Sequence, residues 1–441
     1  MPTADLDDNT SVWAATTPAV DPLPPQQGDE RADVVIVGGG FTGLSTAWHL
    51  SHRFPDRRIV VLEARRVGNG ASGRNGGMAL HWINGVDVHD ADRARRLYQV
   101  TTDTIGWIAD VIRDHAPEVP FRRDGCLELY TDARRAEEAH HKAELLGSWG
   151  LPIRYVAGAD LPIRAVGAVG GVLDPTTGQL HGLAFLNGMR RVLVARGVAI
   201  REQSPVVAIE AGATHRVVTA AGAVTAPFLV LATNGYTPWL GWFKTGVFPL
   251  HSHVVATEPL ALDRWRALGW GDAAGFTDDL DRIAYASLTP DGRLVFGGGG
   301  NGAYSYYYGG RTAPPRPPEA QWAFVRSVLD RYFPDAADVR IDHRWTGTLG
   351  LTMSRVCSMG LTGAHRNIGY ALGYSGHGVV LANLAGRVLC DLYSDAPEGW
   401  RDLPFFERPL WGIPPEPLRW AGYQVFTRLT GRSPRRYEAD R

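Results

Sequence analysis

The sequence predicts an α/β fold: a Rossmann-like dinucleotide-binding domain interleaved with a mixed α+β substrate domain. Three features lead there. A strand, glycine turn, helix, strand and acid follow one another between Asp33 and Glu63. Two later apolar runs, Phe228 to Ala232 and Asn367 to Leu372, each enter a polar or glycine-rich turn. Between about 247 and 300 the pattern changes to short strands and turns, as a separate sheet requires. On this pattern residues 1–31 form an extended N-terminal arm, and 32–89, 155–235 and 340–396 build the dinucleotide domain. Residues 90–154 and 236–339 form the substrate domain and 397–441 a C-terminal extension. The catalytic pocket is expected where the two domains meet.

The first unit is the most specific. Val34, Val35, Ile36 and Val37 make a buried strand that ends in Gly38-x-Gly40-x-x-Gly43. Gly38 permits the tight turn, Gly40 lets the backbone approach a pyrophosphate, and Gly43 lets helix and strand pack closely. The helix then presents free N–H groups and the positive end of its dipole to the phosphates. A second strand, Ile59 to Leu62, ends on Glu63. That acid lies about 20 residues beyond Gly43, where a carboxylate accepts hydrogen bonds from a ribose diol. Strands, glycines and acid together point to a bound adenine dinucleotide.

Residues 65–77 (RRVGNGASGRNGG) are too glycine-rich for regular structure and read as a loop that wraps a ligand. A helix over 90–115 follows, with Leu97, Val100, Ile105 and Ile108 on its apolar face. Residues 121–131 read as a hairpin-type strand and 132–149 as a charged helix. Next come a helix over 182–196 and a short strand over 199–209, which enters a hairpin through Gly212 and Gly222. Beyond the Phe228 strand lie the strands of 247–300, with a turn at Pro290-Asp291-Gly292, then a helix over 319–333. The Asn367 strand enters Gly373-Tyr374-Ser375-Gly376-His377-Gly378, and a long helix over 379–392 follows.

Composition bounds the function. At 441 residues the chain suits two joined domains. Its 44% apolar and 21% charged residues are ordinary for a globular protein, and a net charge of −1 offers no general attraction to nucleic acid. Cys126, Cys357 and Cys390 are too widely spaced for a disulfide framework or a zinc site, so no metal is expected. No apolar run reaches the length of a membrane span. Residues 1–30 lack the basic start and apolar core of a signal peptide, and the cytoplasm is the default compartment. Trp13 is a candidate pin for the arm. Fourteen tryptophans are either core filler or the lining of a pocket for a flat or apolar substrate.

Rossmann fingerprints accept NAD and FAD alike, and the later segments decide. VVIVGGGFTGL at 34–44 with LEA at 62–64, GASGRNGG at 70–77, LATNGYT at 231–237, VVATEPL at 254–260 and GYSGHGVVLANLAGRVL at 373–389 carry a family likeness. Together they resemble the amine-oxidising flavoproteins of the D-amino-acid oxidase superfamily, above all its gamma-glutamylputrescine oxidase branch. The resemblance implies an FAD-binding domain of the glutathione-reductase type and a small-molecule amine as substrate. It further implies hydride transfer from the carbon beside the amine nitrogen, hydrolysis of the imine, and reoxidation by O2 to hydrogen peroxide.

Position by position, it implies that Gly38, Gly40, Phe41, Thr42 and Gly43 hold the pyrophosphate, and Glu63 with Ala64 the adenosine ribose. Arg65, Gly70, Ala71, Ser72, Arg74, Asn75 and Gly76 would follow the flavin's phosphate and ring edge. Val206 or Val207 would contact the adenine, and Thr233 and Asn234 would join the cofactor site. Gly373, Gly376, His377 and Gly378 would lie under the pyrimidine end of the isoalloxazine, where a helix start stabilises the charge of a reduced flavin.

Four residues are candidates for the chemistry. His251 and His253 alternate along FPLHSHVV and share a face. Facing the flavin, either would hydrogen-bond the substrate amine or hold it deprotonated; otherwise they are a satisfied pair. Tyr304 stands with Tyr306, Tyr307 and Tyr308 behind a glycine run, either as a lid over a cationic amine or as surface packing. Trp345 is either a wall of the substrate pocket or core.

Three positions depart from the pattern of the relatives. Val295 replaces the lysine that activates oxygen in sarcosine oxidases, which weakens the case for O2 as acceptor. Thr352 stands near where glycine and D-amino-acid oxidases carry a carboxylate-binding arginine, with Arg355 three residues on. Val380 replaces a second lysine. An amine without a neighbouring carboxylate is therefore favoured over an α-amino acid. The positions that link flavin covalently fall near Gly347 and at Arg74, so FAD is expected to be bound non-covalently. The rivals are an amine dehydrogenase feeding a quinone or carrier protein, a flavin monooxygenase reduced by NAD(P)H, and a non-catalytic flavoprotein. No second dinucleotide fingerprint supports the monooxygenase. Trp420, Val425, Phe426 and Leu429, with Arg419, Arg428, Arg432, Arg435 and Arg436, read as an amphipathic helix that docks on the fold, a partner or a membrane surface.

Overall fold

In the computed structural model, which describes residues 5–81, 90–280 and 282–430, strands Val34–Val37 and Ile59–Leu62 are fully buried and run parallel, Val34 opposite Ile59. Apolar runs without polar alternation need cover on both faces. One face packs on helices Phe41–Arg53, Ala91–His115, Gly182–Ala195 and Gly378–Tyr393 in a core that includes Ile36, Leu44, Ile105, Phe185 and Leu384. The other face joins Val35, Val60 and Leu229 to Val217 and Val224 of a four-stranded sheet.

The six-stranded sheet runs Ala199–Arg201, Ile59–Leu62, Val34–Val37, Phe228–Leu231, Ile368–Leu372, Ser358–Thr362, with only the last pair antiparallel. The carboxyl ends of its strands lead into the glycine turn, Glu63, Thr233 and Gly373, where an open parallel sheet binds its ligand. A nine-stranded sheet is centred on Phe248–Thr257, which pairs with Ile341–Leu351, Leu294–Gly298 and Tyr304–Ser305. Its helix Glu319–Tyr332 sets Val325, Val328 and Leu329 into a core with Trp270, Phe276 and Phe296. Short strands Met78–Ala79, Gly178–Leu180 and Phe121–Arg122 form a further small sheet.

The structure departs from the expected layout in several places. Helix Ala91–His115, expected in the substrate domain, packs Leu97, Val100, Ile105 and Ile108 into the core of the six-stranded sheet. Strands Arg154–Ala157, Gly170–Asp174 and Ile341–Leu351, expected in the dinucleotide pieces, hydrogen-bond within the nine-stranded sheet. The stretch 199–209 is two strands, Ala199–Arg201 and Val206–Glu210. Between them buried Glu202 turns inward to accept the N–H groups of Leu23 and Val67, and Gln203 takes φ 52.

Nor is the arm wholly extended. Ser11 caps a helical turn, Val12–Thr16, and Gly28–Arg31 adds a strand parallel to Gly222–Ala226. Trp13 is buried and donates to the Asn75 carbonyl at 2.6 Å, so it does pin the arm. The C-terminal helix Leu418–Thr430 docks on the fold through Tyr423, whose ring lies 5.6 Å from that of Tyr306. Residues 1–4 and 82–89, and the arginines Arg432, Arg435 and Arg436, lie outside the described residues. Among the described residues no helix is long and apolar enough to cross a membrane, and no group of His, Cys, Asp and Glu is arranged to hold a metal.

Candidate active site

The glycine turn is built as its spacing requires. Gly38 has φ 111, and an added Cβ would stand 2.7 Å from the Ala232 carbonyl oxygen. At Gly43 an added Cβ would overlap the Gly38 carbonyl. Helix Phe41–Arg53 starts from Gly40, which has no capping side chain. The Phe41 side chain is buried in the core, 6.4 Å from Phe185, and Thr42 shares a 2.7 Å hydrogen bond with the Tyr374 hydroxyl. With both side chains engaged, the Thr42 N–H is what these two positions leave for a phosphate, since that of Phe41 goes to Ser72 Oγ.

Glu63 accepts the Gly39 N–H at 2.8 Å and the Arg65 N–H at 2.9 Å. Burial raises its pKa, opposed by those N–H groups and that of Ala64. Val206 follows closely, because Gln203 and Ser204 donate to the Arg65 and Glu63 carbonyls. Val207 sits at a register shift of its strand.

The loop after Glu63 folds back onto the helix start. Ser72 Oγ accepts the Phe41 N–H at 3.0 Å, next to Gly40, and Gly70 opens the turn Ala71–Gly73. Gly76 presses on Tyr285, whose ring would lie 2.8 Å from an added Cβ. Asn75 bonds the carbonyls of Ala71 and Ser72 and accepts from Gly77. Buried Arg74 donates to the Asn69 and Thr346 carbonyls and pairs with Asp7 of the arm at 2.9 Å. Arg65 pairs with Asp8 at 3.3 Å. The side chains of Arg65, Arg74 and Asn75, expected along the cofactor, are thus engaged by the loop and the arm.

At the far end Asn234, held at φ 43, accepts the Gly373 N–H at 2.9 Å, and Thr233 bonds Thr237. Gly373 and Gly376 take φ 77 and 101, which turns the chain sharply into helix Gly378–Tyr393. His377 occupies the cap position without a capping hydrogen bond, and its buried Nδ1 has no partner among the described residues. An uncapped helix start beside an orphaned nitrogen fits the carbonyl-bearing edge of a flavin. With the glycine turn and Glu63, the residues present fit FAD.

The four residues expected to carry the chemistry lie on the nine-stranded sheet. His251 and His253 are both fully buried, but only one is satisfied. His253 uses both ring nitrogens, on Thr346 and Ser305 at 2.9 Å each. Among the described residues His251 uses neither; its ring meets Tyr307 edge-on at 4.7 Å. Burial, then the charges of His253 and Arg74, push the His251 pKa down to about 3, and burial brings His253 to about 4. Both imidazoles are thus far weaker bases than an alkylamine, so neither can keep an alkylammonium deprotonated.

Tyr304 gives its hydroxyl to the Ile283 carbonyl and pairs by backbone with Ser252, and Tyr306 is buried beside Phe248. The expected lid is therefore fastened down, leaving half-buried Tyr307 beside His251 and exposed Tyr308 against Trp420. Trp345, 1% exposed, donates to the Arg74 carbonyl at 2.8 Å within a core of Trp13, Val254 and Val295. It is core rather than an open pocket wall, wedged between the cofactor loop and the sheet. Sequence reasoning missed Tyr285, bonded to Ser252 at 2.9 Å, and half-buried Tyr236, which feels the charges of Arg74 and Glu63. It also missed the arm's acids, whose signal was Asp7-Asp8 set against Arg65 and Arg74.

Comparison with known proteins agrees with this geometry. The family described as FAD dependent oxidoreductase (DAO) matches residues 33–392. Gamma-glutamylputrescine oxidoreductase of Escherichia coli strain K12 is 32% identical over 396 residues, 87% of this chain and 88% of that protein. Glycine oxidase from Geobacillus kaustophilus superposes with a TM-score of 0.74 at 18% identity, over 87% of this chain and 100% of that one. L-Amino acid deaminase from Proteus myxofaciens follows with a TM-score of 0.69 at 15% identity, over 92% and 98%. The glycine cradle, the interleaved sheets and a match that spans most of the chain lead to one conclusion: this protein belongs to the DAO family of FAD-dependent oxidoreductases.

Proposed function

We propose that this protein oxidises a primary or secondary amine at the carbon beside the nitrogen, using non-covalently bound FAD. The observation that carries the reading is His251, fully buried with two ring nitrogens that have no partner among the described residues. Such a group is unfavourable until a ligand reaches it. A neutral imidazole donates through one nitrogen and accepts through the other, which suits an uncharged amine. Its neighbours Tyr307, His253 and Thr348 are neutral, and Arg74, whose charge reaches it, is paired with Asp7. An α-carboxylate would find no unpaired cation among these groups. The likeness to gamma-glutamylputrescine oxidoreductase also supports an amine.

FAD, held by the glycine turn, Glu63 and the Gly373–Gly378 loop, would supply the acceptor for the hydride leaving that carbon, and water would hydrolyse the resulting imine. His251 orients the amine, while half-buried Tyr307 forms the adjacent wall. Deprotonation of the ammonium falls to bulk water, since a histidine held at about 3 is too weak a base. O2 is the acceptor in this reading. Val295, buried where sarcosine oxidases carry their oxygen-activating lysine, favours a second reading in which a quinone or carrier protein takes the electrons. Free, buried Cys126, Cys357 and Cys390 are consistent with the cytoplasm.

An anaerobic titration of the FAD-loaded protein against a panel of amines and amino acids, with air readmitted, tests the proposal. Bleaching by an amine and rapid recovery in air are expected; slow recovery would select the dehydrogenase. Flavin bands that persist with every amine but bleach with NAD(P)H would overturn amine oxidation.

A further inference from the structure

Away from the cofactor groove, helices Phe41–Arg53, Ala91–His115 and Gly378–Tyr393 line a cavity of about 500 Å3, a size that admits a small molecule. Three features distinguish it from a gap between helices. Asn383 lines it and is 1% exposed; its Nδ2 serves the Val379 carbonyl, while its Oδ1 has no partner among the described residues. A buried acceptor of this kind calls for a donor. Arg387 lines the cavity one helical turn on, its guanidinium 5.3 Å from the Trp400 ring and without a carboxylate partner among the described residues. The neighbouring cation, Arg53, is already paired with Asp391 at 2.7 Å. Trp107 supplies a flat apolar wall, 5.1 Å from the ring of His49, which burial and Arg387 keep neutral.

We propose that this cavity binds an α-amino acid as a ligand separate from the substrate, with its ammonium on Asn383 Oδ1, its carboxylate on Arg387 and its side chain against Trp107. Residues four apart on a helix present their Cβ atoms about 5–6 Å from each other. That spacing lets the two charged ends of one α-amino acid each make a hydrogen bond. An anion alone would satisfy Arg387 and leave Asn383 orphaned; an amine alone would do the reverse. The proposal does not depend on which amine is oxidised in the groove.

Isothermal titration of the FAD-loaded protein with L-phenylalanine, L-leucine and L-glutamate tests it, alongside hydrocinnamate and phenethylamine, which lack the amine and the carboxylate respectively. At least one amino acid is expected to bind. Arg387→Gln, at an exposed position, should weaken that binding about ten-fold or more, as loss of one charged hydrogen bond does. Trp107→Leu should weaken L-phenylalanine most, and flavin content should be unchanged in both variants. No heat with any of the three amino acids would overturn the proposal, as would an affinity that both variants leave untouched. Equal binding of hydrocinnamate and L-phenylalanine would reduce the cavity to an anion site and overturn it too.

Discussion

The cofactor cradle and the proposed substrate face are built differently. The cradle is made of backbone: Gly38, Gly40 and Gly43, an uncapped helix start, and the sharp entry through Gly373 and Gly376. Its fit depends on the absence of side chains, and a Cβ at Gly43 would overlap the turn itself. The proposed substrate face is made of side chains brought in by strands Phe248–Thr257, Tyr304–Ser305 and Ile341–Leu351. There one histidine is fully bonded and its neighbour is left with nothing. A family can keep such a cradle while exchanging the side chains around it.

The largest expected effect lies in the cradle. Gly43→Ala should lower stability by about 3 kcal/mol or more, since the clash is with backbone, and abolish flavin retention. Thermal unfolding and the flavin-to-protein absorbance ratio check this, and full flavin content in the variant would break the comparison. Next come the two histidines. His253→Leu leaves the buried Thr346 hydroxyl and the half-buried Ser305 hydroxyl without their partner and should cost about 2 kcal/mol. His251→Leu removes an orphan, so a stability within about 1 kcal/mol of the parent, or above it, is expected in denaturant unfolding.

Titration sharpens the same contrast. The unfolded imidazoles titrate near 6.5, whereas the folded ones lie at about 3 for His251 and about 4 for His253. Between those values the unfolded chain binds protons that the folded chain does not. Stability is therefore full above about 6.5 and falls as pH drops toward 4, by up to about 1.4 kcal/mol per pH unit for each histidine. Unfolding free energies across pH 4 to 7 should fall less steeply in His253→Leu than in the parent. The smallest effect belongs to the arm. Asp7→Asn removes the carboxylate facing buried Arg74 and should cost about 1 kcal/mol, read as a few-fold faster loss of flavin on dilution.

What the sequence disclosed follows the same divide. Gly38 to Glu63 is a local unit that its spacing disclosed, whereas the role of Gly373 to Gly378 came from the family resemblance. The face shared by His251 and His253 was equally legible, because alternation along a strand is local. Their difference was not, because it depends on Thr346 and Ser305, which reach His253 from two other strands. Trp345 gave no sign that it would cap the Arg74 carbonyl, nor did Arg74 signal its pairing with Asp7 across 67 positions. Domain boundaries failed for a related reason. An apolar helix face such as Leu97–Ile108 reads alike whichever sheet it covers, and the sheet a strand joins is decided by partners far along the chain.

The central claim is that His251 is a neutral partner for the substrate amine and no part of the cradle. The most direct test compares the anaerobic rate of flavin reduction by an amine in the parent and in His251→Leu, both fully loaded with FAD. Unchanged flavin content with reduction slowed about 100-fold, and no break near pH 6.5 in the parent's rate profile, is the expected result. Reduction of His251→Leu at the parent's rate, with the same amine and the same flavin content, would contradict it.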